Sequence, residues 1–235
     1  MLLDIDHLHA YYGKSHILHG VRFTMPEPRI VALLGRNGAG RSTTLKAMMG
    51  LVPPSQGKVA LNGEDLAGRP AHVIARRGLG YVPEERQVFP NLTVEENLMM
   101  GMQTGAEGAP RWQAEDMYQY FPRLRERRNQ KAGYLSGGEQ QMLTICRSLL
   151  GNPLVLLVDE PTEGLAPMIV QVVMDVIRDI HQRGVGVLLV EQKMTMALRV
   201  ASHVLVMGHG QIVFTGSTTD MQARDDIRRD WLEVA

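Results

Sequence analysis

The sequence predicts an α/β fold in which a mostly parallel sheet is flanked by helices and carries an antiparallel β-subdomain and a helical insertion. Three observations lead there. Short apolar runs recur along the chain, and continuous ones such as VLLV and VGVLLV suit strands buried on both faces. Helical stretches separate several of these runs, the alternation of a parallel sheet. Turn signals at Asn62-Gly63 and from Gly208 to Gly210 divide short strands in the opening and closing segments, which is antiparallel chemistry.

In order, strand-like runs fall at residues 2–5, 17–23, 30–34, 59–61, 154–158, 185–190, 203–207 and 212–214. Helices are expected at 42–49, 136–150, 168–183 and 193–200. Between 93 and 131 no strand pattern occurs, and the run TGAEGAP marks a helical insertion with a flexible tip. We therefore expect one domain over 1–235. Its core and β-subdomain take 1–92 and 132–235, and a helical subdomain takes about 93–131 and extends into the helix after Ser136.

Composition narrows the function. Apolar residues make up 44% and charged residues 21%, values of an ordinary globular protein. Twenty-five basic residues balance twenty-five acidic ones, so net charge draws the chain neither to nucleic acid nor to an anionic membrane. The basic run RLRERRNQK at 123–131 lacks aromatics and reads as a solvated helix face. Cys146 is the single cysteine, which excludes an intrachain disulfide and a multi-cysteine metal site and fits a reducing cytosol. His7, His9, His16 and His19 lie on strand-like segments without metal-ligand spacing. The opening MLLDIDHLHAYYG lacks the regions of a secretion signal, and no apolar run approaches the ~20 residues that span a bilayer. Any membrane role is expected to come through a partner.

The run IVALLGRNGAGRSTTLKAMMG sets a buried strand, a glycine-rich loop and a helix in succession, the context of a phosphate-binding P-loop. The usual pattern is Gly, four residues, Gly, Lys, then Ser or Thr. Here Gly35, Arg36, Asn37, Gly38, Ala39 and Gly40 lead into Arg41, Ser42 and Thr43. Small residues let backbone N–H groups converge on phosphates, the helix N-terminus adds partial positive charge, and the Ser42 hydroxyl can ligand Mg²⁺. Arg41 keeps the charge, but its planar fork replaces a compact ammonium. Nucleotide binding is expected to persist better than hydrolysis.

LSGGEQQ at 135–141 precedes a helix, and PLVLLVDEPT follows after a short Asn-Pro break. In this order and spacing after the P-loop, these strings closely resemble the signature and Walker B strand of ATP-binding cassette ATPases. The resemblance runs from residue 2 to about 234 and implies ATP and Mg²⁺ as ligands. By it, Ser136, Gly137 and Gly138, with Glu139 beside them, would meet the γ-phosphate of a nucleotide held by a second subunit. A hydroxyl and N–H groups at a helix start do form an anion site. Asp159 would hold Mg²⁺ and Glu160 would polarise the attacking water. Adjacent strand residues point to opposite faces, but the backbone turns at a strand end, so both acids can reach one site. Tyr12 in AYYG matches the aromatic that stacks on adenine, with Tyr11 as the alternative.

Some positions leave the general pattern. Glu84 stands where many members carry a glutamine that meets nucleotide and Mg²⁺, and a carboxylate cannot donate as an amide does. Gln192 stands at the switch histidine, where it can contact the γ-phosphate and position water but is a poor proton acceptor. Ala166 replaces a frequent aspartate. The strings VFPNLTVEENL, DEPTEGLAP and LLVEQ resemble the shorter ATPase subunit of branched-chain amino-acid importers, and urea and short-amide importers share most of them. Arg41 departs from that subgroup as well.

The resemblance implies a second ATPase subunit as partner, a different chain in the cell or a copy of itself in isolation. It also implies transmembrane permease subunits, a periplasmic substrate-binding protein acting indirectly, and a peripheral place on the cytoplasmic face of the inner membrane. No nucleic-acid partner is expected. The methionine-rich LMMGM at 98–102, with Phe89 and Pro90, suits either a docking surface or core gap-filling. Three functions compete: an ATPase that powers branched-chain amino-acid uptake, the same role in a urea or short-amide importer, or a nucleotide-binding regulatory subunit whose hydrolysis Arg41 impairs.

Overall fold

Parallel pairing in the middle of the chain and hairpin pairing near its ends produce two sheets. The computed structural model describes residues 1–233; positions 234 and 235, where the single-domain span and the family resemblance end, lie outside the described residues. The first sheet is antiparallel, in the order β2 (Ser15–Met25), β1 (Leu3–Tyr12), β4 (Pro54–Leu61), β5 (Glu64–Asp65). The second has the order β10 (Gln211–Ser217), β9 (His203–Gly208), β3 (Ile30–Gly35), β8 (Gly186–Val190), β7 (Val155–Asp159), β6 (Leu79–Val82). Its strands are parallel except for the β9–β10 hairpin. This is the expected α/β architecture.

Burial on both faces explains the continuous apolar runs. Along β3, Ile30, Ala32 and Leu34 face the helical core, whereas Val31 and Leu33 face a second core shared with the antiparallel sheet. α7 (Pro167–Gln182) covers the first core with Val173, Met174, Val176, Ile177 and Ile180, a stripe at helical spacing. α6 (Gly137–Leu149) joins it through Met142, Leu143, Ile145, Cys146 and Leu149. α1 (Arg41–Met48) packs in the second core through Leu45, Ala47 and Met48. Each such aliphatic side chain contributes about 1.5–3 kcal/mol on full burial.

The closing hairpin differs from the sequence reading. It extends the large sheet as an antiparallel edge instead of joining the β-subdomain. Its turn bends back against β2 and the P-loop: Gly210 N–H donates to Ala39 O at 2.9 Å, and Gly210 O accepts from His19 N–H at 2.9 Å. A Cβ at Gly210 would lie 2.1 Å from Ile17 O, at a φ of +76, so only glycine fits this brace.

β1 and β2 also outrun their apolar cores, because half-exposed residues continue the pairing through register shifts near His7. β6 and α2 (Ala71–Arg76) carry little apolar signal: LGYV is broken by glycine, and α2 buries only Ile74. α8 (Met194–Ala197) is shorter than the stretch 193–200, and α9 (Thr218–Gln222) and α10 (Asp225–Trp231) follow β10.

Within 93–131 lie α3 (Val94–Gly101), α4 (Ala114–Tyr120) and α5 (Pro122–Glu126), and a lone bridge pairs Thr93 with Lys131. The buried Asn97 ties α3 to the preceding loop. Its Nδ2 donates to Phe89 O at 3.0 Å and Thr93 O at 2.9 Å, and its Oδ1 accepts from Phe89 N–H at 2.9 Å. The TGAEGAP run is irregular but held at both sides by Asn152, which donates to Gln103 O at 2.6 Å and accepts from Trp112 N–H at 2.7 Å. In the basic run, Arg123 pairs with Glu126 and Arg125 with Glu115 on a solvated face, whereas Arg127 turns in to the largely buried Glu139.

Candidate functional site

β3 sits between β9 and β8 in the middle of the large sheet and delivers the P-loop at its carboxyl end, where ligands bind in such sheets. Gly35 passes so close to β9 that an added Cβ would meet Met207 O at 2.5 Å. Gly38 at φ +79 and Gly40 at φ +107 take left-handed turns, which curl the loop and set α1 off from Arg41. The loop's N–H groups and the first turn of α1 form a cradle suited to phosphate.

Two strands away, β7 supplies the acids. Asp159 is fully buried, and its Oδ1 accepts from the Ser42 hydroxyl at 3.0 Å while its Oδ2 accepts from the Tyr81 hydroxyl at 3.3 Å. Burial pushes its pKa up, opposed by those two donors and by the charges of Lys46 and Arg41. Burial and the neighbouring Asp159 push the Tyr81 hydroxyl up as well, so it stays a donor. Glu160 has a left-handed backbone at φ +43, held by its N–H bond to Val190 O at 3.0 Å. That strained turn swings Glu160 toward the same site as Asp159, the turn expected at the strand end.

Arg41 reaches Glu160 directly. Its Nη2 donates to Glu160 Oε1 at 2.7 Å and to Asn37 Oδ1 at 3.2 Å, and its Nη1 is buried without a partner. Side-chain exposure is 5% for Arg41 and 13% for Glu160, so little water screens the pair. Burial raises the Glu160 pKa, and Arg41 draws it back down.

A cavity of about 390 Å³ opens over these groups. Tyr12, Asn37, Gly38, Gly40, Arg41, Ser42, Thr43, Glu84, Glu160 and Gln192 all line it, so most of the candidate residues meet in one place. Tyr11 is engaged elsewhere, stacked on His16 with ring centroids 4.2 Å apart, which leaves Tyr12 as the free aromatic. Arg36 and Ala39 line a separate cavity with Met207 and Trp231. Glu84 has its pKa raised by desolvation and by repulsion from Glu160, Asp159 and Glu163.

The signature residues do not line the P-loop cavity. Ser136 caps α6, and Glu139 closes a capping box by accepting from Ser136 N–H at 2.8 Å and from its hydroxyl at 2.9 Å. Arg127 occupies the other Glu139 oxygen at 3.0 Å, so that carboxylate has little left to offer a ligand. The cap leaves the small residues Gly137 and Gly138 at the helix start.

The family model for ABC transporters matches residues 18–163. This chain belongs to the ABC transporter family of ATPases. It is 42% identical over 228 residues to the high-affinity branched-chain amino acid transport ATP-binding protein BraG of Pseudomonas aeruginosa, covering 95% of this chain and 98% of BraG. It is 34% identical over 234 residues to the lipopolysaccharide export system ATP-binding protein LptB of Haemophilus influenzae, covering 98% and 97% of the two chains. The probable branched-chain amino acid transport ATP-binding protein LivF of Archaeoglobus fulgidus is 35% identical over 215 residues, 91% of each chain. The fold matches a nucleotide-free ATP-binding cassette from an ABC transporter with a TM-score of 0.84, 97% coverage of both chains and 23% identity. As a member, the ATPase binds ATP and works with transmembrane permease components. Among the described residues no helix is long and apolar enough to cross a membrane.

Three residues of the ATPase's site escape the sequence reading. Tyr81 meets Asp159 from β6, a strand too short to be noticed. Arg86 donates to Glu163 O at 3.0 Å and lies against Gly137, where a Cβ would clash with its guanidinium, so it joins the signature helix to the loop after Glu160. Glu191 is buried at the end of β8 and accepts from the Thr162 hydroxyl at 2.7 Å. Only Glu191 had a signal: an acid ending an apolar strand, as in VLLVDE.

Burial raises the Glu191 pKa above its ordinary 4.5, partly offset by the Thr162 bond. The folded protein thus holds this proton more tightly than the unfolded chain, a stabilisation complete below about pH 4.5 and lost as pH rises through the folded pKa. Glu191→Gln keeps the acceptor for Thr162 and removes the charge. Its Tm should equal that of the unaltered ATPase below about pH 4.5 and exceed it increasingly toward neutrality. A variant no more stable at neutral pH contradicts a buried, charge-disfavouring site.

Proposed function

We propose that this ATPase powers the import of branched-chain amino acids across a bacterial inner membrane, from its cytoplasmic face. The observation that carries the reading is the 42% identity to BraG across 95% of the chain, against 34% to LptB. ATP occupies the cavity around Arg41, with Tyr12 stacked on adenine and the amides of residues 40–43 on the phosphates, the Ala39 N–H being taken by Arg36 O at 3.1 Å. Ser42 and the Asp159 carboxylate it now bonds would hold Mg²⁺ between them, and Glu84 lines the same cavity. Their oxygens suit that ion, which keeps several water and phosphate ligands and needs no dense protein cage; among the described residues no trio of acid, histidine or cysteine side chains forms such a cage. Glu160 takes the proton of the attacking water, and Gln192 donates to the terminal phosphate. Ser136, Gly137 and Gly138 serve the nucleotide of a second ATPase subunit, because they lie outside this chain's own cavity.

The permease side of the proposal rests on an exposed apolar surface. Met99, Met100 and Met102 are more than half exposed, so these methionines are surface, while Leu98 at the start of the stretch packs in the core. Met100, with Met49, His72 and Arg147, lines a groove of about 330 Å³ beside the helical subdomain, and Arg147 stacks over Phe89 at 4.4 Å. Adaptable methionines around a groove suit a helix presented by a permease subunit.

Uptake of labelled leucine and urea in a deletion strain tests the assignment. Leucine uptake should disappear and return with the restored gene. Loss confined to urea, or to lipopolysaccharide export with leucine uptake intact, overturns it.

A further inference from the structure

Arg41 and Glu160 pair on the wall of the cavity in which the nucleotide is placed. No other basic side chain lines the cavity among the described residues, whereas Glu84, Glu160 and Glu163 all do. Arg41 is thus the single basic side chain lining the cavity among the described residues, already on a carboxylate and beside the place of a terminal phosphate. The loop amides and the α1 N-terminus can satisfy the first two phosphates without it. A third phosphate brings further negative charge toward Glu160, and beside the Mg²⁺ proposed at Ser42 and Asp159 the counter-charge on the Glu160 side is Arg41.

The guanidinium is built for such an exchange. It carries five donors in a fixed plane; here Nη2 serves Glu160 and Asn37 while Nη1, buried, serves nothing. An oxygen placed beside Nη1 would relieve an unpaired donor and compete for the same charge. With 5% and 13% exposure, the present pair lies largely out of water, so breaking it without a replacement anion is costly.

Resting on the placement of ATP described above, we propose that Arg41 is a positioning residue that holds Glu160 in the free and diphosphate-bound states and releases it when the third phosphate takes the guanidinium. Glu160 is thereby neutralised while no bond is there to be cleaved. It becomes a free carboxylate, able to accept a proton from water, only beside a triphosphate. A lysine at this place offers three donors on one compact ammonium instead of a planar fork.

A double-mutant cycle on nucleotide affinity tests this, using fluorescent ATP and ADP analogues with Mg²⁺ and folded variants verified by thermal melting. Glu160→Gln removes the competing carboxylate. It should raise ATP affinity roughly tenfold more when residue 41 is the natural arginine than in the Arg41→Gln background, and should change ADP affinity less than about threefold in either. An equal ATP gain in both backgrounds, or an ADP gain as large as the ATP gain, overturns the proposal alone. Gly38→Asp places a carboxylate in the phosphate cradle and should abolish binding of both nucleotides. Undiminished binding in that variant overturns the nucleotide placement and the proposal together.

Discussion

Glu160→Gln should lower ATP turnover by about 10²–10⁴-fold, the contribution of a well-placed general base, while the variant still binds ATP. The geometry singles this side chain out. It is the only carboxylate of the Asp159 and Glu160 pair that lines the cavity, since Asp159 is fully buried and committed to Ser42 and Tyr81. Its left-handed backbone is the kind of strain that persists where surrounding structure demands it. Glutamine has the same shape and still accepts from Arg41, so the substitution removes basicity with little packing change. Steady-state phosphate release, with fluorescent ATP titration as the binding control, measures the effect. Turnover within about threefold of the unaltered ATPase would remove Glu160 from the role of base and leave Gln192, which cannot fill it.

Ser136→Arg should reduce turnover of the assembled transporter by about 10²–10³-fold, the loss expected when donors aimed at developing charge are displaced. The same substitution should leave ATP affinity of the isolated chain within about threefold, because the signature residues lie outside its own P-loop cavity. The lost cap costs about 1 kcal/mol, which lowers Tm by only a few degrees in a chain of this size. Thermal melting therefore separates a damaged helix from a damaged site. Weakened binding in the isolated chain would mean that the signature serves its own nucleotide and not that of a second subunit.

Much of this molecule is written locally. The strand, glycine loop and helix of 30–48 are contiguous, and their hydrophobic pattern and turn chemistry need no distant partner to be read. The same holds for the capping box at Ser136 and Glu139 and for the acids that end β7. Elements with weak local signals escaped: β6 is four residues long and contains glycine, and α2 buries one side chain. The edge hairpin was legible as a hairpin but not as to sheet, because a turn says which strands pair with each other and nothing of the third strand beside them.

The family, the phosphate loop, the two acids and the altered Arg41 are readable along the chain, since each depends on residue types at short fixed spacing. What those residues touch is set by the fold. Arg41 and Glu160 are 119 positions apart, and they meet because β8 alone separates β3 from β7 in the sheet. The same sheet order brings Tyr81 from the edge strand to Asp159 and places Glu191 beneath Thr162. In the antiparallel sheet, stacking of Tyr11 on His16 leaves Tyr12 to line the cavity. Arginine in place of lysine could be read along the chain as a change of shape at a phosphate site. That its charge is already spent on Glu160 follows from strand order and burial, which no local pattern encodes.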